Sequence, residues 1–352
     1  MKIGIVTVFK SLNCGSFLQA WALKEQLSSM GHDVYFVDYD NPWDTFAKRW
    51  EGVIKCCLRF RVKRAKDILD KTRDYKNLRR ELNVIPKSDN SMGMYFFGSD
   101  TLWNFDDAYF NQYAPFFTGI DIQKPCYSYS ISVGSTSEET FLKNEKALEG
   151  ISKFKKIAVR DEQSENVISQ IYPKENMVRT IDPTLLICAD KYIKHFGTQK
   201  PIKQKNLVLY YFGSMPEATW RELKAFARDK ELNIVFVGAH EEKYDTCVVS
   251  SPQNFISAFA NAEYIFTNTF HGCVFSAIFN KSFATDGIRK KKIEGFLRQF
   301  DLLSRSIAKS EDLNSVYNTP IDYVHINKLI EHEKENSLNY IKDVIHSEGN
   351  HE

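Results

Sequence analysis

No Cys-x-x-Cys pair occurs among the seven cysteines (Cys14, Cys56, Cys57, Cys126, Cys188, Cys247 and Cys273), and none clusters with histidine at metal-ligand spacing. Neither a zinc site nor a disulfide framework is indicated, and an odd count fits a reducing compartment. No apolar run approaches the roughly 18 residues of a membrane span. The chain opens directly on strand-like Lys2-Ile3-Gly4-Ile5-Val6-Thr7-Val8, so no signal peptide is expected and the expected location is cytoplasmic. The glycines form neither G-x-G-x-x-G nor a P-loop, which leaves dinucleotide and ATP binding without support. A net charge of +2 gives no global case for nucleic acid.

What remains has the composition of a soluble globular protein, with 43% hydrophobic and 26% charged residues. A length of 352 residues suits two ordinary domains. The 26 Phe and 17 Tyr favour sites that stack on sugars or line interfaces. Strand 3–8, a turn at Asn13-Cys14-Gly15-Ser16, an amphipathic helix carrying Phe17, Leu18, Ala20, Trp21, Leu23 and Leu27, and strand 33–38 make a doubly wound opening. Apolar runs at 94–97, 127–133 and 157–159 each end in polar turns, Gly98-Ser99-Asp100, Gly134-Ser135 and Arg160-Asp161.

A second series begins near 205 with strand 206–212, a helix at 217–230, strand 233–237, a helix at 253–261, and strand 264–267 leading into a further helix. Ala189 to Gln204 reads as the linker. The expected class is α/β, with two Rossmann-like doubly wound domains, 1–188 and 205–322, facing across a cleft, followed by a helix and tail at 323–352.

One stretch breaks the pattern. Residues 44–82 predict a helical excursion, with thirteen basic residues against five acidic ones between Lys48 and Glu81. Phe46, Trp50, Val53, Ile54, Leu58, Phe60 and Val62 interleave with the cations. Such a stretch either touches an anionic membrane or polyanionic acceptor, or is a solvated hairpin packed by its apolar side.

His271, in Asn268-Thr269-Phe270-His271-Gly272, sits where a strand turns into an apolar helix. At that position in an open α/β sheet it can meet an anion and exchange a proton near neutral pH; helix capping or packing is the plainer reading. Gly15 lets a ligand approach the backbone at the start of the first helix, where Asn13 or Ser16 could equally be a simple N-cap. Gly98-Ser99-Asp100-Thr101-Leu102-Trp103-Asn104 offers a carboxylate as base or orienting group and an indole face for a sugar. Capping by Asp100 is its alternative. Arg160 can grip a carboxylate or phosphate in bidentate fashion, or pair with Asp161 in a surface turn. Arg289-Lys290-Lys291-Lys292 would attract an anion beside a cleft, although charge runs are usually solvated.

In chain order, these strings resemble the polysaccharide pyruvyl transferase family. The likeness is carried by Lys2-Ile3-Gly4-Ile5, Asn13-Cys14-Gly15-Ser16-Phe17-Leu18-Gln19-Ala20, Gly98 to Asn104, Val159-Arg160-Asp161, Asp182-Pro183-Thr184-Leu185-Leu186 and Thr267 to Ser276, and reaches about Arg305. The resemblance implies a fold similar to the glycosyltransferase B type. It also implies no obligatory metal or other cofactor, phosphoenolpyruvate as co-substrate, and an acceptor sugar of a surface polysaccharide or its lipid-linked precursor.

On this reading the first domain serves the acceptor, with Asn13, Gly15, Ser99 and Trp103 in the cleft, and the second serves the donor. His271 looks like the family histidine and general acid, with Asp100 as base or acceptor-orienting group. Arg160, Arg289 and Lys292 would clamp the donor beside Asn268 and Thr269. Many members carry an arginine where Thr269 stands, so Arg289 is the expected replacement. A nucleotide-sugar glycosyltransferase of the same fold, with Glu294 as its ribose-binding acid, and a non-catalytic carbohydrate-binding protein are the alternatives.

Overall fold

The structure, a computed structural model, describes residues 1–39, 46–197, 205–244, 246–309 and 312–349. The first sheet contains β1 (Lys2–Val6), β2 (Asp33–Val37), β3 (Val84–Ile85), β4 (Met94–Phe97) and β5 (Cys126–Ser128), in the order β3-β2-β1-β4-β5 and parallel throughout. Single bridges at Tyr127–Lys156 and Ile131–Val159 carry it on to the parallel pair β6 (Ile157–Val159) and β7 (Met177–Arg179). The second sheet repeats the arrangement with β8 (Asn206–Tyr210), β9 (Asn233–Val237), β10 (Thr246–Val248), β11 (Tyr264–Thr267) and β12 (Ser282–Thr285), ordered β10-β9-β8-β11-β12. Strand order reverses between β1 and β4 in one sheet and between β8 and β11 in the other. Both reversals open a crevice at the strands' carboxyl ends.

The strands read as near-continuous apolar runs because helices cover both faces of a parallel sheet. The first helix, Cys14–Ser29, departs from the amphipathic expectation: every residue from Cys14 to Leu23 is buried. It lies between its own sheet and the second domain, so no face of its first half meets water. Ala189 to Gln204 is not simply a linker either. Ala189–Phe196 is a helix whose Tyr192 and Phe196 pack on Trp21, with Phe196 also against Phe17; residues 198–204 lie outside the described residues.

One apolar core consequently runs through the first sheet, the domain interface and the inner face of the second sheet, and a smaller one fills that sheet's outer face. The long helix Tyr323–Gly349 ties the halves together. Tyr323 donates to Lys281 O at 2.5 Å in the second domain, and Tyr340 to Ser128 O at 2.7 Å in the first. Ser337 Oγ, midway, accepts from Ile181 N at 3.0 Å.

Ile341 on this helix is fully buried. Ile341→Ala should lower the unfolding free energy by about 2–5 kcal/mol, measured by urea denaturation; a loss under about 0.5 kcal/mol, typical of surface substitutions, would show the helix to be a loosely attached appendage.

Candidate active site

The two crevices face one another, and one buried cluster spans them. In the first domain β1 and β4 end in register at Val6 and Phe97. Thr7 donates to Ser99 O at 3.1 Å, and Gln19 links Thr7 Oγ1 to Ser99 N. This buried lattice delivers Asp100 to the crevice with a positive φ of 83°, a conformation costly for a residue with a Cβ and common at functional sites. Its Oδ2 accepts from Ser16 Oγ at 2.8 Å and its Oδ1 from Thr101 N at 2.9 Å.

In the second domain, β11 ends at Thr267, whose hydroxyl donates to Tyr210 O at 2.6 Å. Thr269 caps the helix Phe270–Ile278 by accepting from Gly272 N at 3.0 Å. His271 is thereby projected across the interface. A Cβ at Gly15 would lie 2.0 Å from His271 Nδ1, so only a glycine lets the ring pack there.

Asp182, in the turn after β7, meets both halves. Its Oδ1 accepts from Thr184 N and Oγ1 at 3.1 and 2.7 Å. Its Oδ2 accepts from Arg160 Nη1 and Ser99 Oγ, each at 3.4 Å, and lies 3.7 Å from His271 Nε2, an ion-pair distance when the ring carries its proton. Arg160 is 4% exposed in its side chain. Its Nε and Nη2, like His271 Nε2, are buried with no hydrogen-bond partner among the described residues. The guanidinium also lies 4.7 Å from the centre of the Phe270 ring, a cation–π contact between the domains.

The cluster's charges determine its titration. Burial alone would raise the Asp182 carboxyl. Protonated His271 first, and then Arg160, outweigh it and hold the group well below the usual carboxylate range. Asp100 is likewise lowered, with burial opposed by Arg160, His271 and Lys292. Lys292 is lowered by burial first and by Arg160 next.

A cleft of about 1420 Å³ opens on one side of this cluster, lined by Asp182, Arg160, Phe270, Lys292 and, on its lip, exposed Arg289, with His271 and Asp100 behind its wall. Chemically, it is a pocket with a buried guanidinium that keeps hydrogen-bonding capacity to spare and with cations on its rim. That suits an anion better than a neutral ligand.

His271, Asp100, Arg160 and Lys292 thus converge, while other expected site residues do not. Trp103 offers no sugar platform: it is fully buried, donates Nε1–H to Phe117 O at 2.9 Å and packs edge-on against Phe154. Ser99 is fully buried and supports Asp182 instead of facing an acceptor. Asn13 caps the first helix, accepting from Gly15 N at 2.9 Å and Ser16 N at 3.4 Å. Asn268 uses its carboxamide to hold Phe212 N and O at 2.9 and 2.8 Å. The Thr269 hydroxyl is likewise consumed, by Gly272 N and Thr267. Glu294 pairs with Arg298 at 2.9 Å on the cleft wall.

Asp182 and Ser16 are the residues missed by sequence reasoning. Both lie in strings that carry the family likeness, and Asp182 directly precedes the Pro183 turn.

This arrangement, two parallel sheets with the site between their switch points, defines a fold of the glycosyltransferase B type. The S. aureus MnaA–UDP co-structure shares it, at 11% identity and a TM-score of 0.50, covering 98% of this chain and 96% of that one. UDP-GlcNAc 2-epimerase from Neisseria meningitidis bound to UDP-GlcNAc gives 8% identity and 0.48 over 96% and 94%. An α-glucosyltransferase in complex with UDP and a 13-mer DNA gives 10% and 0.46 over 96% and 90%. No curated protein matches the sequence. Residues 13–285 match the family model of polysaccharide pyruvyl transferases, and the chain belongs to that family.

Asp182 contributes stability that is fully present above its unfolded value of 3.8 and is lost as pH falls from there through the lower folded value. Asp182→Asn, which leaves Arg160 without its buried counter-charge, should cost about 3–5 kcal/mol at neutral pH. That difference should shrink below pH ~4, as read by urea unfolding across pH.

Proposed function

We propose that the chain transfers pyruvate from phosphoenolpyruvate to a sugar of a surface polysaccharide or its precursor, forming a ketal and releasing phosphate. The observation that carries this reading is buried Arg160 on the wall of a cation-lined cleft, its Nε and Nη2 without a hydrogen bond among the described residues, with His271 Nε2 equally without one beside it. A small ligand bearing both carboxylate and phosphate would satisfy them, and leaving them empty is costly.

A sugar hydroxyl adds to C2 of phosphoenolpyruvate and loses its proton while C3 gains one, so the double bond becomes a methyl group. The C2–O bond to phosphate then breaks, and a second hydroxyl of the same sugar closes the ketal as its own proton leaves. Arg160 and Lys292 hold the carboxylate and phosphate, with Arg289 guiding the anion from the lip. His271 is the general acid toward C3, held by Gly15 on one side and Asp182 on the other. Asp100 stays ionised and weakly basic, as its lowered carboxyl implies, and is better suited to orienting an acceptor hydroxyl than to taking its proton. The reaction as written calls for no metal or other cofactor. We place the enzyme in the cytoplasm, where phosphoenolpyruvate would be available.

His271→Ala should reduce phosphate release by about 10²–10⁴-fold, and Gly15→Ala, by displacing the ring, by about 10²-fold. Unchanged release in His271→Ala would remove the assigned role. Calorimetry should show binding of phosphoenolpyruvate, weakened in Arg160→Lys; tight binding of UDP-GlcNAc with none of phosphoenolpyruvate would instead favour a nucleotide-sugar transferase.

A further inference from the structure

The helical hairpin between β2 and β3 takes no part in the cluster described above. Its arms are the helices Phe46–Leu58 and Val62–Arg79. Its root is fixed beside the site: Tyr75 donates to Cys14 Sγ at 3.3 Å, next to Gly15, and Asp67 Oδ2 accepts from His240 N at 2.6 Å in the second domain. From Tyr75 the second arm runs 13 residues back to Val62, about 20 Å at helical rise. Asp67, the outer of these two anchors, is five residues from Val62, so the tip projects about 8 Å beyond it.

At the tip the chain alternates apolar and basic residues, Leu58, Arg59, Phe60, Arg61, Val62, Lys63. Leu58, Phe60 and Val62 are 76%, 93% and 68% exposed, and Ile54, one turn earlier, is 53% exposed. From Trp50 to Arg64 there are five basic residues and one acidic, Glu51, which is paired with Lys55. Arg59, Arg61, Lys63 and Arg64 have no ion-pair partner among the described residues.

The turn itself gives an independent indication. Arg61 N donates to Cys56 O at 2.9 Å and Phe60 N to Cys57 O at 3.0 Å, the paired bonds that close a helix through a left-handed residue, usually glycine. Here that residue is Phe60, with φ 56°. A large apolar side chain therefore occupies a position where its Cβ is unfavourable and its ring gains almost nothing from burial in the chain. Local stability does not explain it.

We infer that this tip docks on an anionic lipid bilayer, with Leu58, Phe60 and Val62 entering the interfacial layer and Arg59, Arg61, Lys63 and Arg64 against the headgroups. A globular partner would need a concave apolar counterpart, whereas a bilayer accepts a convex tip whose apolar and cationic groups alternate. Docking holds the cleft over the membrane, within reach of a lipid-linked glycan. Only this last step rests on the pyruvyl-transfer reading, and the test below needs no turnover, so each can fail separately.

Sedimentation with phosphatidylcholine vesicles, with and without phosphatidylglycerol, tests it. Binding should be at least about tenfold stronger to the anionic vesicles and should weaken with salt. The double variant Leu58→Ser, Phe60→Ser should lose at least about tenfold, and Arg61→Gln with Lys63→Gln should remove the preference for anionic lipid, all with unchanged circular dichroism. Equal binding to both vesicles or to neither would overturn the inference. So would self-association of the chain abolished by Phe60→Ser, which would make a second copy the occupant.

Discussion

The buried carboxylate of Asp182 is the constraint on which the rest of the molecule depends. Burying it is expensive unless charge is supplied from nearby. Arg160 provides that charge from the same domain and His271, when its ring is protonated, from the opposite one. The interaction that stabilises the domain arrangement therefore also orients the groups available for chemistry. Gly15 imposes the same dependence sterically, because the helix of one domain and the imidazole of the other share a space that a methyl group would fill. Neither half holds the whole cluster alone.

The cluster also shows where positive charge is placed in this fold. Helix N-termini are the usual expectation at the carboxyl ends of a parallel sheet. Here the first helix spends its leading amides on Asn13 and the helix carrying His271 spends one on Thr269. Positive charge is left to side chains: the guanidinium of Arg160, with two buried nitrogens that make no hydrogen bond among the described residues, and the ammonium of Lys292. Side-chain cations can accommodate a ligand with two differently spaced anionic groups, whereas a helix end points at one.

Much of this was legible in the sequence, and the failures have physical causes. The doubly wound halves and the strand-to-helix turn bearing His271 followed from apolar periodicity, and the grouping of His271, Asp100, Arg160 and Lys292 was implied by the family resemblance. Trp103 was misjudged because an indole in a polar string can turn either way, and the Phe117 carbonyl drew its N–H inward. Asn268 and Thr269 sit beside His271 in sequence, yet their polar groups build the turn that presents it. Asp182 stood in a string that carries the family likeness but was given no role, because only the packing of the second domain brings His271 to it. Residues whose roles depend on contacts between domains leave little local signal, and for the same reason the first helix was read as amphipathic when the interface buries it all round.

The helix Tyr323–Gly349 begins on the second domain and ends against the first sheet, where Tyr340 and Ser337 satisfy backbone groups near β5 and β7. In the order of synthesis it follows every strand of both sheets. A nascent first domain must consequently wait, with part of its apolar flank uncovered, while the whole second domain is translated. The fold thus carries a built-in delay between collapse and completion, during which that flank is a surface for chaperones to shield.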